Sequence, residues 1–71
     1  MRVSFGEVFT TNPDGSFSPK GAVRIGAVTM RPGLSFRKGV VFSGVDIAEY
    51  VGHDLDVSRE PDGTVVIKAA L

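Results

Sequence analysis

The most regular pattern lies in the last quarter of the chain. Asp54-Leu55-Asp56-Val57-Ser58 alternates polar with apolar residues, and Thr64 to Leu71 puts Val65, Ile67, Ala69 and Leu71 on one face. A period of two marks a half-buried strand, because successive side chains point to opposite faces. Between these runs lies Glu60-Pro61-Asp62-Gly63. Proline presets φ for the second position of a type I turn, Asp tolerates the third, and glycine accepts the positive φ that follows. The pattern predicts a β-hairpin. Asn12-Pro13-Asp14-Gly15 has the same chemistry and predicts a second one. Its return strand begins at Ser16 and meets an edge or a break at Pro19, which has no N–H for a central ladder.

Arg2 to Thr11 reads as a strand in which Val3 and Phe5 alternate with Arg2 and Ser4. The phase changes after Gly6, where a bulge or bend is expected. Gly21 to Met30 reads alike: Val23-Arg24-Ile25-Gly26-Ala27-Val28 echoes Val3-Ser4-Phe5-Gly6-Glu7-Val8. If each glycine shifts the pleat by one residue, Val3, Phe5 and Val8 share a face, as do Val23, Ile25, Val28 and Met30. Strands bent at matching points suit a small barrel or a curled sheet. Arg31-Pro32-Gly33 predicts a type II turn, Leu34-Ser35-Phe36 a short strand, Arg37-Lys38-Gly39 a charged turn, and Val40 to Phe42 a buried strand.

One segment predicts a helical turn, at about residues 46–51. Asp46 is placed to cap it, with Glu49 three residues on. Val45 and Tyr50 match a hydrophobic staple, and Gly52 suits the left-handed position after a helix. So short a turn is unstable alone, so Ile47, Tyr50 and Val51 are expected to face the sheet. The expected fold is all-β, a single domain over residues 1–71: a small β-barrel or β-roll of about five to six strands with two Pro-Asp-Gly hairpins. The glycine spacing from Gly21 to Gly44 leaves a stacked β-solenoid as a rival.

Composition adds a constraint. A chain of 71 residues buries only roughly 60–65% of its surface on folding, so its core is small. It has no cysteine and one histidine, His53. That excludes a disulfide staple, a Cys-based zinc site and a His-rich metal site, and neither a metal nor a cofactor is expected. Oligomerisation is the remaining way to staple so small a fold. No apolar run approaches the ~20 residues of a membrane helix. No signal-peptide pattern opens the sequence. A cytoplasmic protein that does not contact membranes is expected.

Net charge is zero, but its distribution is uneven. Ser18 to Val45 holds five bases and no acid, and Asp46 to Asp62 holds six acids and one base. Opposite charges on paired strands can account for this. The split also suits self-association, with Arg24, Tyr50, Asp54 and Asp56 as candidate interface residues. A second reading is nucleic-acid binding by a small barrel, with Arg31, Arg37 and Lys38 on phosphate and Phe36 as a stacking ring. The acidic segment, close by in so small a domain, opposes it. The third reading is acid–base chemistry by His53 with Asp54 or Asp56. Capping explains Asp46 and Glu49, and the polar face of a strand explains Asp54 and Asp56. No phosphate loop, nucleophile elbow or HExxH motif is present. The expectation is a non-enzymatic protein-interaction or assembly module acting as a homo-oligomer, with another protein as a possible partner and nucleic acid ranked behind both.

Overall fold

The computed structural model describes all residues, Met1–Leu71. The chain is built of short strands: β1 (Arg2–Ser4), β2 (Phe9–Thr11), β3 (Phe17–Pro19), β4 (Val23–Ile25), β5 (Val28–Met30), β6 (Val41–Phe42), β7 (Val45–Asp46), β8 (Asp54–Arg59) and β9 (Val65–Ala70). A single helical turn, α1 (Phe5–Val8), joins β1 to β2, and a 3₁₀ turn (Ile47–Tyr50) follows β7. Five strands form one sheet in the order β1-β8-β9-β4-β5, with β4 parallel to β9 and the other neighbours antiparallel. The pairs β2-β3 and β6-β7 form separate ribbons. The sheet has two edges, β1 and β5, and does not close into a barrel.

Both Pro-Asp-Gly loops form as the residues predict, with matching bonds. Gly15 N–H donates to the Asn12 carbonyl (2.9 Å) and Asn12 N–H to the Ser16 carbonyl (2.7 Å). Gly63 N–H donates to the Glu60 carbonyl (2.9 Å) and Glu60 N–H to the Thr64 carbonyl (2.8 Å). Gly15 and Gly63 take φ of 86° and 91°, a region costly to residues with a Cβ. Within β8, Leu55 and Val57 are buried as the alternation requires. In β9 it fails after Ile67. Asp56 pairs with Ala69 but Val57 with Ile67, so Lys68 is the extra residue of a β-bulge. Ala70, not Ala69, then packs against the core, and Leu71 is exposed.

The two glycine-centred repeats place their faces correctly and their elements incorrectly. Val3, Phe5 and Val8 are all buried, but on a strand followed by a helical turn. Residues three apart share a face of a helix, so Phe5 and Val8 meet the core by another route. Val23, Ile25 and Met30 are buried and Val28 is half-buried. Gly26 is no bulge. With φ of 56°, and Ala27 outside the positive-φ region, it opens a two-residue turn of type II′ between β4 and β5. Ser43-Gly44, at φ of 49° and 79°, turns β6 into β7 in the type I′ manner. The hairpin tips touch: Ser43 Oγ donates to the Ile25 carbonyl (3.1 Å).

The core comprises twelve buried apolar residues drawn from every part of the chain. One part of it is aromatic. Phe5 stacks obliquely on Phe9 at a centroid separation of 5.0 Å, and Phe17 meets Phe5 edge-on at 5.7 Å. Phe36 contacts Phe9, Phe17 and Phe42 at 5.8, 5.9 and 5.1 Å. All five phenylalanines thus form one connected set. Of Leu34-Ser35-Phe36 only Phe36 bridges another strand, exchanging two backbone hydrogen bonds with Phe17 (2.8 and 2.9 Å).

Two apolar stretches lie elsewhere than their hydrophobicity predicts. Val40 and Val41 are exposed and Phe42 is half-buried. The turn after β7 is 3₁₀ rather than α, and Asp46 caps it by accepting from Ala48 N–H (3.1 Å). Ile47 is wholly buried and Tyr50 half-buried, while Val51 is 48% exposed. Three residues per turn cannot hold all three on one side.

A Cβ on Gly26 would lie 2.6 Å from Ser43 Oγ and 2.7 Å from Ser43 Cβ, at a positive φ. Gly26→Ala should therefore lower stability by more than about 1 kcal/mol, as measured by urea denaturation. Ser43→Gly removes the steric part alone, so the double variant should fall measurably short of the sum of the two single costs.

Candidate functional site

The basic segment is fixed to the first hairpin. Phe36 is anchored by its bridge to Phe17, which sets Arg37 beside the loop at Asp14. Arg37 Nη1–H donates to the Asp14 carbonyl (2.9 Å) and Nη2–H to Asp14 Oδ2 (3.0 Å). The other carboxylate oxygen of Asp14 accepts from Ser16 N–H (2.9 Å) and Ser16 Oγ–H (2.6 Å). These bonds favour the ionised form. The Ser16 hydroxyl, then the Ser16 amide, and more weakly the Arg37 charge hold the Asp14 carboxyl below its ordinary value of 3.8. Asp62 repeats the motif: the Thr64 amide donates to Oδ1 (2.9 Å) and lowers the Asp62 pKa, with a minor contribution from Arg31. Further along the basic segment, Gly39 N–H donates to Asp46 Oδ2 (2.9 Å). One carboxylate thereby secures the turn at Arg37–Val40 and the 3₁₀ turn together.

The residues proposed for phosphate and base contact divide. Arg31, Arg37 and Lys38 are exposed, but Arg37 is committed to Asp14. Phe36 is 4% exposed, at the centre of the aromatic set. This corrects its reading as a stacking ring: a base would have to displace it from the core. The apolar neighbours that make a ring suited to stacking also make it suited to burial, and burial prevails.

The candidate interface residues have partners within the chain. Arg24 Nη1 bonds Glu60 Oε1 at 2.9 Å. Arg2 Nε bonds Asp54 Oδ2 at 2.6 Å. The ammonium of Met1 lies 3.3 Å from Asp56 and donates to the Val57 carbonyl at 2.8 Å. Of the four ion pairs, only Arg24–Glu60 joins the basic middle to the acidic third; the others use the first fourteen residues. All four are exposed or half-exposed, a setting in which such pairs contribute about 0–1 kcal/mol each. Tyr50 is half-buried against the core.

His53 is exposed, and its Nδ1–H donates to the Leu71 carbonyl (3.0 Å) rather than to Asp54, Asp56 or Glu49. No three acidic or histidine side chains converge on a metal-sized position, and the fold encloses no cavity. No helix is long and apolar enough to cross a membrane. The chain matches no protein-family model, no curated protein and no solved structure. The X-Pro-Asp-Gly-Ser/Thr repeat already signals the two carboxylates with lowered pKa. The edges of the sheet, by contrast, carry no motif.

The lowered pKa values of Asp14 and Asp62 have a thermodynamic consequence. A carboxylate whose pKa is depressed by folding contributes stability that is complete above its unfolded value and lost as pH falls through the folded one. For these two the loss lies below 3.8. Asn keeps the acceptor oxygen but does not titrate, so Asp14→Asn/Asp62→Asn should lose less of its neutral-pH stability than wild type between about pH 4 and pH 2. Thermal melts across that range measure it.

Proposed function

We propose that the chain is a non-enzymatic assembly module that acts as a homo-oligomer. The observation carrying this reading is the open sheet: β1 and β5 each have a neighbour on one side only. An unpaired edge offers backbone donors and acceptors to another strand. The small core supports the same reading. Only twelve apolar residues are buried in the core, with no disulfide to assist them, and chains of this size commonly gain stability from a partner. Val40 and Val41, exposed side by side, add apolar surface. Isolated exposed apolar side chains are ordinary, however, so the weight rests on the edges.

Nucleic-acid binding stands second, since with Phe36 in the core no phenylalanine is exposed among Arg31, Arg37 and Lys38. Sedimentation equilibrium over a concentration range should give a mass rising from the 7.5 kDa of one chain to an integral multiple of it. A single mass of one chain at every concentration, in low salt and high, would overturn the proposal. Retention on single-stranded oligonucleotides that weakens steeply with salt would favour the second reading.

A further inference from the structure

The two edges differ in how well they are guarded. On the β1 side, Met1 exchanges backbone bonds with Val57 (Val57 N–H to the Met1 carbonyl, 2.8 Å; the Met1 ammonium to the Val57 carbonyl, 2.8 Å). Antiparallel pairs alternate between bonded and non-bonded, so Val3 bonds inward to Leu55 and Arg2 points its backbone groups outward. Arg2 is charged and salt-bridged to Asp54, and the strand ends in the helical turn at Phe5. Charge and brevity of this kind are the usual protection of an edge.

The β5 edge is equally short, at three residues, but it lacks the charge. Val65 N–H donates to the Ala22 carbonyl (2.9 Å), so Ala22 and Arg24 turn their backbone groups toward β9. Val23 and Ile25 turn theirs toward β5. Val23 pairs with Met30 and Ile25 with Val28, leaving Arg24 opposite Thr29. The N–H and carbonyl of Thr29 therefore point away from the sheet. Thr29 is exposed, and Val28-Thr29-Met30 has no charge, proline or bulge.

We infer that β5 is the interface edge and that its occupant is the β5 strand of a second copy, antiparallel about a two-fold axis through Thr29. This rests on the assembly reading above. A two-fold contact must be self-complementary, and this register is. Thr29 faces Thr29 of the other copy with two backbone hydrogen bonds, and threonine pairs on adjacent strands are favourable. Val28 faces Met30, and Arg31 faces Ala27, so no like charges oppose each other. The product is a continuous ten-stranded sheet with the guarded β1 edges outermost.

Charge placed on the axis tests the register. In Thr29→Lys or Thr29→Glu alone, like charges face each other, and each variant should be monomeric where wild type is dimeric. An equimolar mixture should restore a dimer of both chains, read by sedimentation and native mass spectrometry. Thr29 is exposed, so circular dichroism should match wild type. If either variant fails to fold, Thr29→Ser, which leaves the dimer intact, and Ala27→Glu, which places a carboxylate opposite Arg31 and tightens it, read the same register. Dimers persisting undiminished in both charged variants would overturn the β5 assignment and leave the assembly reading standing. A monomeric wild type would overturn both.

Discussion

The contact of Phe36 with three other phenylalanines is what lets the irregular half of this chain be structured. Between Met30 and Val41 there is no strand, and the segment meets the core where Phe36 enters it and bridges Phe17. From that point Arg37 reaches the first hairpin and Gly39 reaches Asp46. Phe9, Phe17 and Phe36 connect the β2-β3 ribbon to this segment, and Phe42 brings in the β6-β7 hairpin. The sheet supplies most of the aliphatic part of the core, and the phenylalanines attach to it both ribbons and the segment between Met30 and Val41.

Sequence reading succeeds here where the physics is local. A Pro-Asp-Gly loop is specified by the φ range of proline, the side-chain acceptor of aspartate and the freedom of glycine, so both hairpins are legible. The same holds for the type II turn at Arg31–Leu34, where Gly33 takes φ of 98°, and for the Asp46 cap. It fails where an element depends on a distant partner. The apolar faces of Arg2–Thr11 are right, yet Phe5–Val8 becomes a helical turn because i and i+3 on a helix and a pleat shift on a strand present the same residues. The bulge at Lys68 leaves no mark in the alternation, because it is decided by the register against Asp56 and Val57. Closure into a barrel likewise depends on whether the edges meet, and β1 and β5 do not.

The candidate sites divide along the same line. Which charges exist is plain from sequence; which are already paired is a tertiary fact. Asp54 and Asp56 look free on an alternating strand, yet Arg2 and the Met1 ammonium are brought to them by β1 from the far end of the chain. Phe36 looks available among basic residues because its apolar partners, Phe9 and Phe17, are many residues upstream. Conversely Thr29 is unremarkable in sequence, and only the direction of the Val65–Ala22 bond shows which way its backbone points.

The parallel pairing of β4 with β9 bears on how the protein comes to exist at all. The β8-β9 hairpin is local in the chain, but Val23 meets Val65 and Val3 meets Leu55 across most of its length. Neither β1 nor β4 pairs with the other; each needs the hairpin as its template. Distant pairings are slow, because loop-closure entropy is lost before contacts repay it. During vectorial synthesis β1 and β4 must therefore wait, with the ribbons formed at most locally, until residues 54–70 supply the centre of the sheet. The hairpin at the centre of the sheet is thus made after the two strands, β1 and β4, that it templates.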